Sequence, residues 1–403
     1  MMELICEKTA NKTDALRRIV YTGPELCRVT RYGDFYRMIP HEVAAWQVSE
    51  VAMELGGHFT TLDFCDHDGV YIANHATVED FDRDILPHIP ILAKVLVMRD
   101  EGAGDVIMSV PAVRELRRRI PCAHITYAVK PGNESLLYGI SCIDKIVSVH
   151  DVDLGEFCPF DLVINFCRSV DVYSIPRNRE HRIDSFALML GLGKLKDRRT
   201  EFNIFPDECD QLFDSHTDIL SNGQKYIAFV LQAAGWNRTW TLWRIGELID
   251  TFAAALPDYK LIFVDGPRQD WIPKAPNVIN KTGRTHSFKE AALLCSACAL
   301  TITPDTGIAH ALGALGKPTL VLAGSIPPEK RFNTYPKHEW IYAGGQVPCS
   351  PCWDFQERYK RDDPRPAGHQ NYKSCANDIE VHCMNWITPE MIAAKAKKML
   401  GAK

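Results

Sequence analysis

The sequence predicts an α/β protein built from two doubly wound, largely parallel sheets. Three observations lead to this fold class. Short apolar runs rich in β-forming residues alternate with helical patterns along most of the chain. The alternation stops in a polar stretch between Phe202 and Gly223, and then it restarts. The 403 residues are enough for two or three domains.

The first half is predicted to begin with a strand, a glycine loop and a helix, and to continue with further strands. An apolar run at 91–99 is followed by a glycine-containing loop at 100–105 and by a helical pattern that ends at Arg117, Arg118 and Arg119. Further strands are predicted at His124–Val129, Ile143–Val149 and Phe160–Asn165. This order is typical of a parallel sheet.

The second half repeats the alternation after a linker near residues 205–222. Strands are predicted at Tyr226–Leu231, Lys260–Val264, Leu300–Thr303 and Thr319–Ala323, and helices at Leu242–Ala255, Phe288–Ala297 and Gly307–Leu315. Two such halves would leave a cleft at the carboxyl ends of their strands, where ligands bind in sheets of this kind.

The composition places the chain among globular proteins, with 46% hydrophobic and 24% charged residues. A net charge of -5 gives little support to a nucleic-acid or membrane-surface partner. The N-terminus lacks the order of a secretory signal, and no apolar run approaches the roughly 20 residues of a membrane helix. We therefore expect a cytoplasmic protein whose 14 cysteines are mostly buried thiols.

The first segment whose residues could take part in catalysis follows the strand at 91–99. Gly102 and Gly104 allow a sharp turn, and Asp105 follows them at the start of a helix. A carboxylate there can accept a proton from an incoming hydroxyl, or it can simply cap the helix. A dinucleotide fingerprint is not indicated, because its third glycine and the acidic residue after the next strand are missing.

The second segment follows the strand that ends at Thr303. Asp305 or Thr306 can cap the next helix, and Gly307 leaves backbone N–H groups where a diphosphate could bind. His310 lies one turn further along, either as a packed core residue or beside the anion. Arg238, in the polar loop after the strand Tyr226–Leu231, could hold a diphosphate or could be a solvated arginine.

Taken together, these motifs resemble those of glycosyltransferase family nine, the heptosyltransferases. The pattern is Gly-x-Gly-Asp-(apolar)3-x-x-Pro-Ala, then Arg-x-Trp, then Pro-Asp-Thr-Gly-x-x-His, over about residues 91–335. The resemblance implies a GT-B fold with two Rossmann-like domains facing across a cleft. It also implies inverting, metal-independent transfer of a sugar, foremost a heptose from ADP-heptose.

The resemblance also implies roles for particular residues. Asp105 matches the catalytic base, and the residues expected to bind the nucleotide sugar are Arg238, Asp270, Gly283, Asp305, Thr306, Gly307, His310 and Gly324. Asp270 is assigned to the nucleotide ribose and Gly324 to a turn near the sugar. The segment 180–186 resembles one that precedes the linker, without an assigned role.

Four cysteines near the C-terminus are predicted to bind a metal. Cys349 and Cys352 form a C-x2-C pair, and Cys375 and Cys383 could complete a tetrahedral S4 site that suits iron or zinc. Unrelated thiols or a disulfide are the alternatives. Cys295 and Cys298, the other C-x2-C pair, lie in an apolar helical pattern and are predicted to be core.

A similar iron site and an extra N-terminal region occur in the autotransporter heptosyltransferases. If the chain resembles that branch, the acceptor would be serine hydroxyls of a protein. The cysteine spacing after Cys352 differs from that of this branch, so the choice between iron and zinc stays open. The predicted organisation is an N-terminal accessory region, an acceptor-side domain, a nucleotide-sugar domain, a metal-binding loop and a C-terminal helix, at 1–87, 88–205, 223–345, 346–385 and 386–403.

Other functions remain compatible with the same motifs. The acceptor could be a lipopolysaccharide or another glycan, the chemistry could be that of a sugar-nucleotide epimerase, or the chain could be a metal-clipped scaffold without activity. Free epimerised sugar nucleotide would indicate the epimerase, and full biological activity after Asp105→Ala would indicate the scaffold. A homo-oligomer is also compatible with the sequence.

Overall fold

The computed structural model contains two compact units, Met1–Arg199 and Thr200–Lys403. It describes residues 2–6, 17–21, 27–32, 35–40, 59–64, 67–72, 80–100, 102–152, 160–166, 180–347, 350–351 and 382–402.

The described strands number 16 and are labelled in chain order. Those of the first unit are β1 Met2–Cys6, β2 Arg17–Tyr21, β3 Cys27–Tyr32, β4 Phe35–Pro40, β5 Phe59–Phe64, β6 His67–Ile72, β7 Lys94–Arg99, β8 His124–Val129, β9 Lys145–Ser148 and β10 Leu162–Asn165. Those of the second unit are β11 Lys225–Val230, β12 Tyr259–Val264, β13 Val278–Asn280, β14 Leu300–Pro304, β15 Thr319–Ala323 and β16 His338–Tyr342.

The described α-helices are labelled in the same way. They are α1 Phe81–Asp84, α2 Ala103–Arg119, α3 Arg182–Met189, α4 Pro206–Ser215, α5 Thr217–Leu220, α6 Ile245–Ala255, α7 Phe288–Ser296, α8 Gly307–Ala314, α9 Glu329–Phe332, α10 His382–Trp386 and α11 Pro389–Leu400. Short 3-10 helices cover Leu86–His88, Glu134–Leu136, Val149–Asp151, Trp236–Arg238 and Leu242–Arg244.

The first unit contains a mixed sheet in the order β1-β2-β5-β6-β10-β7-β8-β9. The pairs from β6 to β9 are parallel, whereas β1, β2, β5 and β6 pair antiparallel. β3 and β4 form a separate antiparallel pair. After β7 the chain runs outward through β8 and β9, and β10 then returns to the other side of β7. The strand order therefore reverses between β7 and β10.

The second unit contains a parallel sheet in the order β13-β12-β11-β14-β15-β16. From β11 the chain runs outward through β12 and β13, and it then returns to place β14 on the other side of β11. This is the order of a doubly wound Rossmann-like sheet, and it reverses between β11 and β14. The α/β class and the parallel strands predicted from the sequence are confirmed.

In the core of the second unit, the sheet packs against the C-terminal helices. Phe229 and Phe263 are fully buried, and their ring centroids lie 5.8 Å apart. Ile392 of α11 belongs to the same apolar cluster. The buried Trp240 indole Nε1 donates a hydrogen bond to the Ile387 carbonyl at 2.9 Å. These contacts fix the C-terminal helices on the sheet of the second unit.

The stretch predicted as a linker is largely helical. Pro206 is the first residue of α4, where a missing N–H costs nothing, and the Glu208 side chain accepts from the Phe205 N–H at 2.9 Å. Leu212 is the buried residue of this helix. Polar composition therefore marks a surface helix here rather than an extended connection.

Candidate functional site

The first candidate site lies where the strand order of the first sheet reverses. β7 ends at Arg99, directly before the glycine turn, and Phe166 follows the end of β10. Arg99 Nη1 donates to the Phe166 carbonyl at 2.7 Å, which joins these two loops. Ligands of open α/β sheets bind at such reversal points, outside the carboxyl ends of the strands.

Asp105 enters this position from the first turn of α2. Gly102 is the N-cap residue at φ +61°, and its carbonyl accepts from the Asp105 N–H at 2.9 Å. A Cβ on Gly102 would lie 3.2 Å from Asp105 Oδ2, so a side chain there would crowd the carboxylate. Because the N-cap is Gly102, Asp105 is not the helix cap that the sequence left as an alternative.

Two arginines hold the Asp105 carboxylate. Arg99 Nη2 donates to Oδ2 at 2.7 Å, and Arg182 Nε donates to Oδ1 at 2.9 Å. The side chains are nearly buried, at 1% exposure for Arg99, 6% for Arg182 and 12% for Asp105. Burial of charges at this depth requires pairing, and here both carboxylate oxygens face a cation. The two ion pairs fix the orientation of the Asp105 carboxylate.

The second candidate site lies at the strand reversal of the second sheet. Arg238 follows β11 and Asp305 follows β14, so the residues reach the same edge from opposite sides of the reversal. Arg238 Nη1 donates to the Asp305 carbonyl at 3.1 Å and lies 3.5 Å from Asp305 Oδ2. The two residues that the sequence assigned to a diphosphate are therefore neighbours, although 67 positions separate them.

The start of α8 adds a helix N-terminus to this edge. Thr306 is the N-cap residue in extended conformation, and its hydroxyl lies 2.9 Å from that of Thr303. Gly307 is the first helical residue. The unsatisfied N–H groups of a first turn and the helix dipole favour an anion at this place.

His310 connects this turn to the core. Its Nδ1 lies 3.1 Å from the Tyr335 hydroxyl, and its Nε2 lies 3.9 Å from Asp305 Oδ1. The ring is 2% exposed and stacks on Phe332 with centroids 4.8 Å apart. Burial raises the pKa of Tyr335 well above its ordinary value, so the hydroxyl keeps its proton. His310 thus packs in the core and also faces Asp305.

The third cluster follows β12. Asp265 is 9% exposed, and its oxygens accept from the Gly266 N–H at 2.9 Å and from Gln269 Nε2 at 3.2 Å. Burial raises the pKa of Asp265, and these hydrogen bonds act in the opposite direction. Asp270, which the sequence assigned to the ribose, is 81% exposed and pairs with Arg268 Nε at 2.8 Å. Of the two carboxylates, Asp265 is the one at the end of the strand.

Gly283 closes the same cluster. Its φ is +64°, and a Cβ there would lie 2.9 Å from the Arg268 backbone. Its N–H donates to the Asp265 carbonyl at 2.9 Å. The glycine predicted from the sequence is therefore required by a close approach of two backbones.

Gly324 follows β15 and touches both ends of the cysteine segment. A Cβ on Gly324 would lie 2.5 Å from Cys383 Sγ. The Ser350 hydroxyl donates to the Gly324 carbonyl. Ser350 and Cys383 therefore both lie next to Gly324.

Cys383 is the member of the set that the structure describes, and it is buried at the start of α10. Cys349, Cys352 and Cys375 lie outside the described residues. Within the described part of the chain, no group of three or more His, Cys, Asp or Glu side chains could hold a metal ion. The metal site therefore stays a prediction. Cys295 and Cys298 are core residues as predicted, and burial raises the pKa of both thiols, to about 12 for Cys298.

Sequence reasoning did not identify Arg99, Arg182, Asp265 or Tyr335. A signal for Arg99 exists, since a cation ends an otherwise apolar strand just before a glycine turn. Arg182 lies in the segment 180–186, which the sequence singled out without a role.

Among the described residues, no helix is both long and apolar enough to cross a membrane.

Comparison with known proteins defines the class. The family model of glycosyltransferase family 9 (heptosyltransferase) matches residues 195–361, which include Arg238, Asp305 and Gly324. The family predicted from the motifs is thus the one whose model matches this part of the chain. Asp105 lies before the matched range. None of the curated protein sequences compared is significantly similar to the chain.

Solved structures share the fold. The glycosyl transferase family 9 protein of Veillonella parvula DSM 2008 is 20% identical, with a TM-score of 0.53 over 77% of this chain and 99% of that chain. E. coli ADP-heptose LPS heptosyltransferase II is 16% identical, with a TM-score of 0.52 over 76% and 98%. The dodecameric iron-containing heptosyltransferase TibC, solved with ADP-D-beta-D-heptose, is 14% identical, with a TM-score of 0.55 over 98% and 95%. The predicted GT-B class, with two Rossmann-like sheets, is confirmed.

Proposed function

We propose that the chain transfers a heptose from ADP-heptose to an acceptor hydroxyl with inversion at the anomeric carbon. The observation that carries the proposal is that each strand reversal holds one half of the required chemistry. The reversal of the first sheet holds a fixed carboxylate, Asp105. The reversal of the second sheet holds a cation, Arg238, beside a helix N-terminus.

In the proposed step, Asp105 takes the proton of the acceptor hydroxyl. The acceptor oxygen attacks the anomeric carbon from the face opposite the diphosphate, and the bond between that carbon and the diphosphate oxygen breaks. The bonding electron pair leaves on the diphosphate. A general base of this kind contributes typically 10²–10⁴-fold to the rate. One displacement inverts the configuration, and the step needs no metal.

Charge that develops on the leaving diphosphate would be stabilised by the second unit. Arg238 is 23% exposed, so its guanidinium can reach a ligand while Asp305 orients it. The N–H groups at Thr306 and Gly307 provide donors that are fixed before the reaction begins. His310 supports this turn through its position next to Asp305.

For the nucleoside, Asp265 is better placed than Asp270. A buried carboxylate at the end of β12 can accept hydrogen bonds from ribose hydroxyls, whereas Asp270 is exposed and paired with Arg268. We therefore assign the ribose contact to Asp265 and a supporting role to the turn at Gly283. The ADP-heptose donor is favoured because TibC, a structural neighbour over 98% of this chain, was solved with that nucleotide sugar.

For the acceptor, we propose serine hydroxyls of an autotransporter-type protein. The four-cysteine set and the N-terminal strands support this choice over a glycan acceptor. We further propose that Cys349, Cys352, Cys375 and Cys383 hold one iron or zinc ion. Four thiolates would leave no open position, so the ion would cross-link the chain and take no part in transfer.

The test incubates the purified protein with ADP-heptose and a serine-rich autotransporter fragment. The proposal predicts a mass increase of one heptose per modified serine, release of ADP, and an α-linked product from a β-configured donor by NMR. Asp105→Asn provides the inactive control. ADP release without acceptor modification would contradict the serine acceptor, and a retained anomeric configuration would contradict the single displacement.

A further inference from the structure

Arg182 reaches the candidate base from a distant part of the chain. It is the first residue of α3, which is capped by His181, whose Nδ1 accepts from the Ile183 N–H at 3.2 Å. Arg182 Nε donates to Asp105 Oδ1 at 2.9 Å, and Nη2 lies 3.4 Å from Oδ2. The guanidinium therefore spans both carboxylate oxygens in a two-pronged contact.

The two arginines on Asp105 have different surroundings. Arg99 belongs to the sheet, is 1% exposed, and also binds the Phe166 carbonyl. Its removal would leave a buried carbonyl and a gap in the core. Arg182 is the first residue of α3, and its Nε binds Oδ1, whereas Arg99 binds Oδ2. Arg99 thus anchors Asp105 to the fold, and Arg182 adds a second cation to the same carboxylate.

We propose that Arg182 is a positioning residue for the transfer reaction, which fixes the Asp105 carboxylate and keeps it ionised for proton abstraction. The proposal rests on the function proposed above. With Oδ2 held by Arg99 and Oδ1 by Arg182, the carboxylate cannot rotate without breaking an ion pair. An ionised carboxylate has about four acceptor positions, so it can accept from both arginines and still receive a proton.

The same geometry sets a pH dependence. Among the described residues, the charged groups that face Asp105 include Arg99 at the end of β7 and Arg182 at the start of α3. The N-terminal amides of α2 lie beside them, and Asp100 follows Arg99 in the loop. An adjacent cation lowers the pH at which a carboxyl group ionises, typically by about one to three units. Removal of Arg182 therefore moves the acid limb of activity to higher pH.

The experiment compares the pH profile of kcat/KM in the wild type, Arg182→Gln and Arg182→Lys. We expect Arg182→Gln to shift the acid limb upward by about one unit or more and to lower kcat at neutral pH by about tenfold or more. Arg182→Lys retains the charge and loses the two-pronged contact, so its acid limb should stay near that of the wild type while kcat falls. Donor KM should change little in both variants.

Arg114→Gln is the matched control. Arg114 forms an ion pair with Asp197 in the same unit, at 3.2 Å, and does not belong to the Asp105 site. Thermal midpoints of all variants separate folding from chemistry. An Arg182→Gln enzyme with lower activity and an unmoved acid limb would assign Arg182 to folding alone and overturn the proposal.

The failure of this inference can be distinguished from that of the proposed function. If wild type transfers no sugar, the function is wrong and the pH profile has no meaning. If wild type transfers sugar and Asp105→Asn is inactive, the base stands, and the pH profile of Arg182→Gln alone decides the role of Arg182.

Discussion

At the scale of single residues, the role of Asp105 can be tested with a substitution that keeps the size of the side chain. Asparagine has nearly the same size as aspartate but cannot take a proton from an incoming hydroxyl. We expect Asp105→Asn to lower kcat by at least about a hundredfold and to leave donor KM nearly unchanged, because we propose the donor contacts in the second unit. Steady-state kinetics with ADP-heptose measures both quantities.

Asp197→Asn serves as the control for this substitution. Asp197 also pairs with arginines, Arg114 and Arg199, but it is 41% exposed and away from the glycine turn. Its replacement should keep activity within about twofold, since exposed ion pairs contribute little. Turnover of Asp105→Asn within a few-fold of wild type would show that Asp105 is not the base.

We propose that Arg238 acts on the donor side of the reaction. Arg238→Ala removes a cation from the place where charge develops on the leaving diphosphate, so we expect a higher donor KM and a kcat lower by about tenfold or more. Arg238→Lys keeps the charge and should recover part of both effects. If neither parameter changes in a donor titration of Arg238→Ala, the residue has no role at the site.

The sequence identified Asp105, Arg238 and Asp305 because each follows a predicted strand in a recognisable motif. It could not identify Arg99 and Arg182 as partners of Asp105. An arginine at the end of a strand or the start of a helix usually points to solvent, and only the packing of distant segments buries it. The choice between Asp265 and Asp270 for the ribose likewise depends on burial, which sequence spacing does not give.

At the scale of elements, the turn after β15 joins the sheet to the cysteine segment. Gly324→Ala would place a Cβ 2.5 Å from Cys383 Sγ, and we expect it to lower the free energy of unfolding by about 1–3 kcal/mol. Gly246→Ala is the control, because Gly246 lies in α6 with nothing within 4 Å of the added Cβ and should be neutral or stabilising. Equal urea midpoints for the two variants would argue against a tight contact at Gly324.

The start of β16 carries a buried histidine that makes stability depend on pH. Burial lowers the pKa of His338 to about 4, and the Ala309 backbone partly offsets this effect. Between about pH 6.5 and 4 the unfolded chain binds a proton that the folded chain does not, so stability falls as pH drops through this window. The full effect is about 3 kcal/mol.

His338→Phe should flatten this dependence while keeping a ring beside Phe332, whose centroid lies 6.1 Å away. Urea unfolding followed by tryptophan fluorescence at several pH values measures it. His216, whose pKa burial also lowers, contributes with the same sign, so some slope should remain. Replacement of the exposed His286 by Phe should leave the pH dependence of the unfolding free energy as in wild type. The prediction would be wrong if His338→Phe showed the same pH dependence as wild type.

Elements with strong apolar periodicity were predictable nearly to the residue. The strands His124–Val129 and Thr319–Ala323 match their predicted bounds. The predicted linker near 205–222 instead contains α4 and α5. A short surface helix buries few residues, so it leaves only a weak periodic signal, and its start at Pro206 can be taken for a loop.

At the scale of the whole molecule, the pairing of strands that are far apart along the chain could not be predicted from the sequence. Residues 1–87 were predicted to be an accessory region, yet β1, β2, β5 and β6 from this region join the sheet of the first unit through the parallel pair of β6 and β10. Pairing between strands about 90 residues apart is decided by tertiary packing, and no local pattern encodes it. The predicted domain boundary at residue 87 stays a prediction, and the described strands on either side of it belong to one sheet.

The final prediction concerns the proposed metal cross-link between the sheet of the second unit and the C-terminal helices. Val347 and Cys383 both pack in the core around β15, and Ser350 and Cys383 meet at Gly324, so a metal held between them would tie α10 and α11 to the sheet. We expect metal analysis of chelator-free protein to find about one iron or zinc per chain. Cys352→Ser should release the ion and lower the thermal midpoint, whereas Cys122→Ser, at an exposed cysteine, should do neither. Fully folded wild type without metal, or a disulfide among the four cysteines in freshly reduced protein, would refute the site.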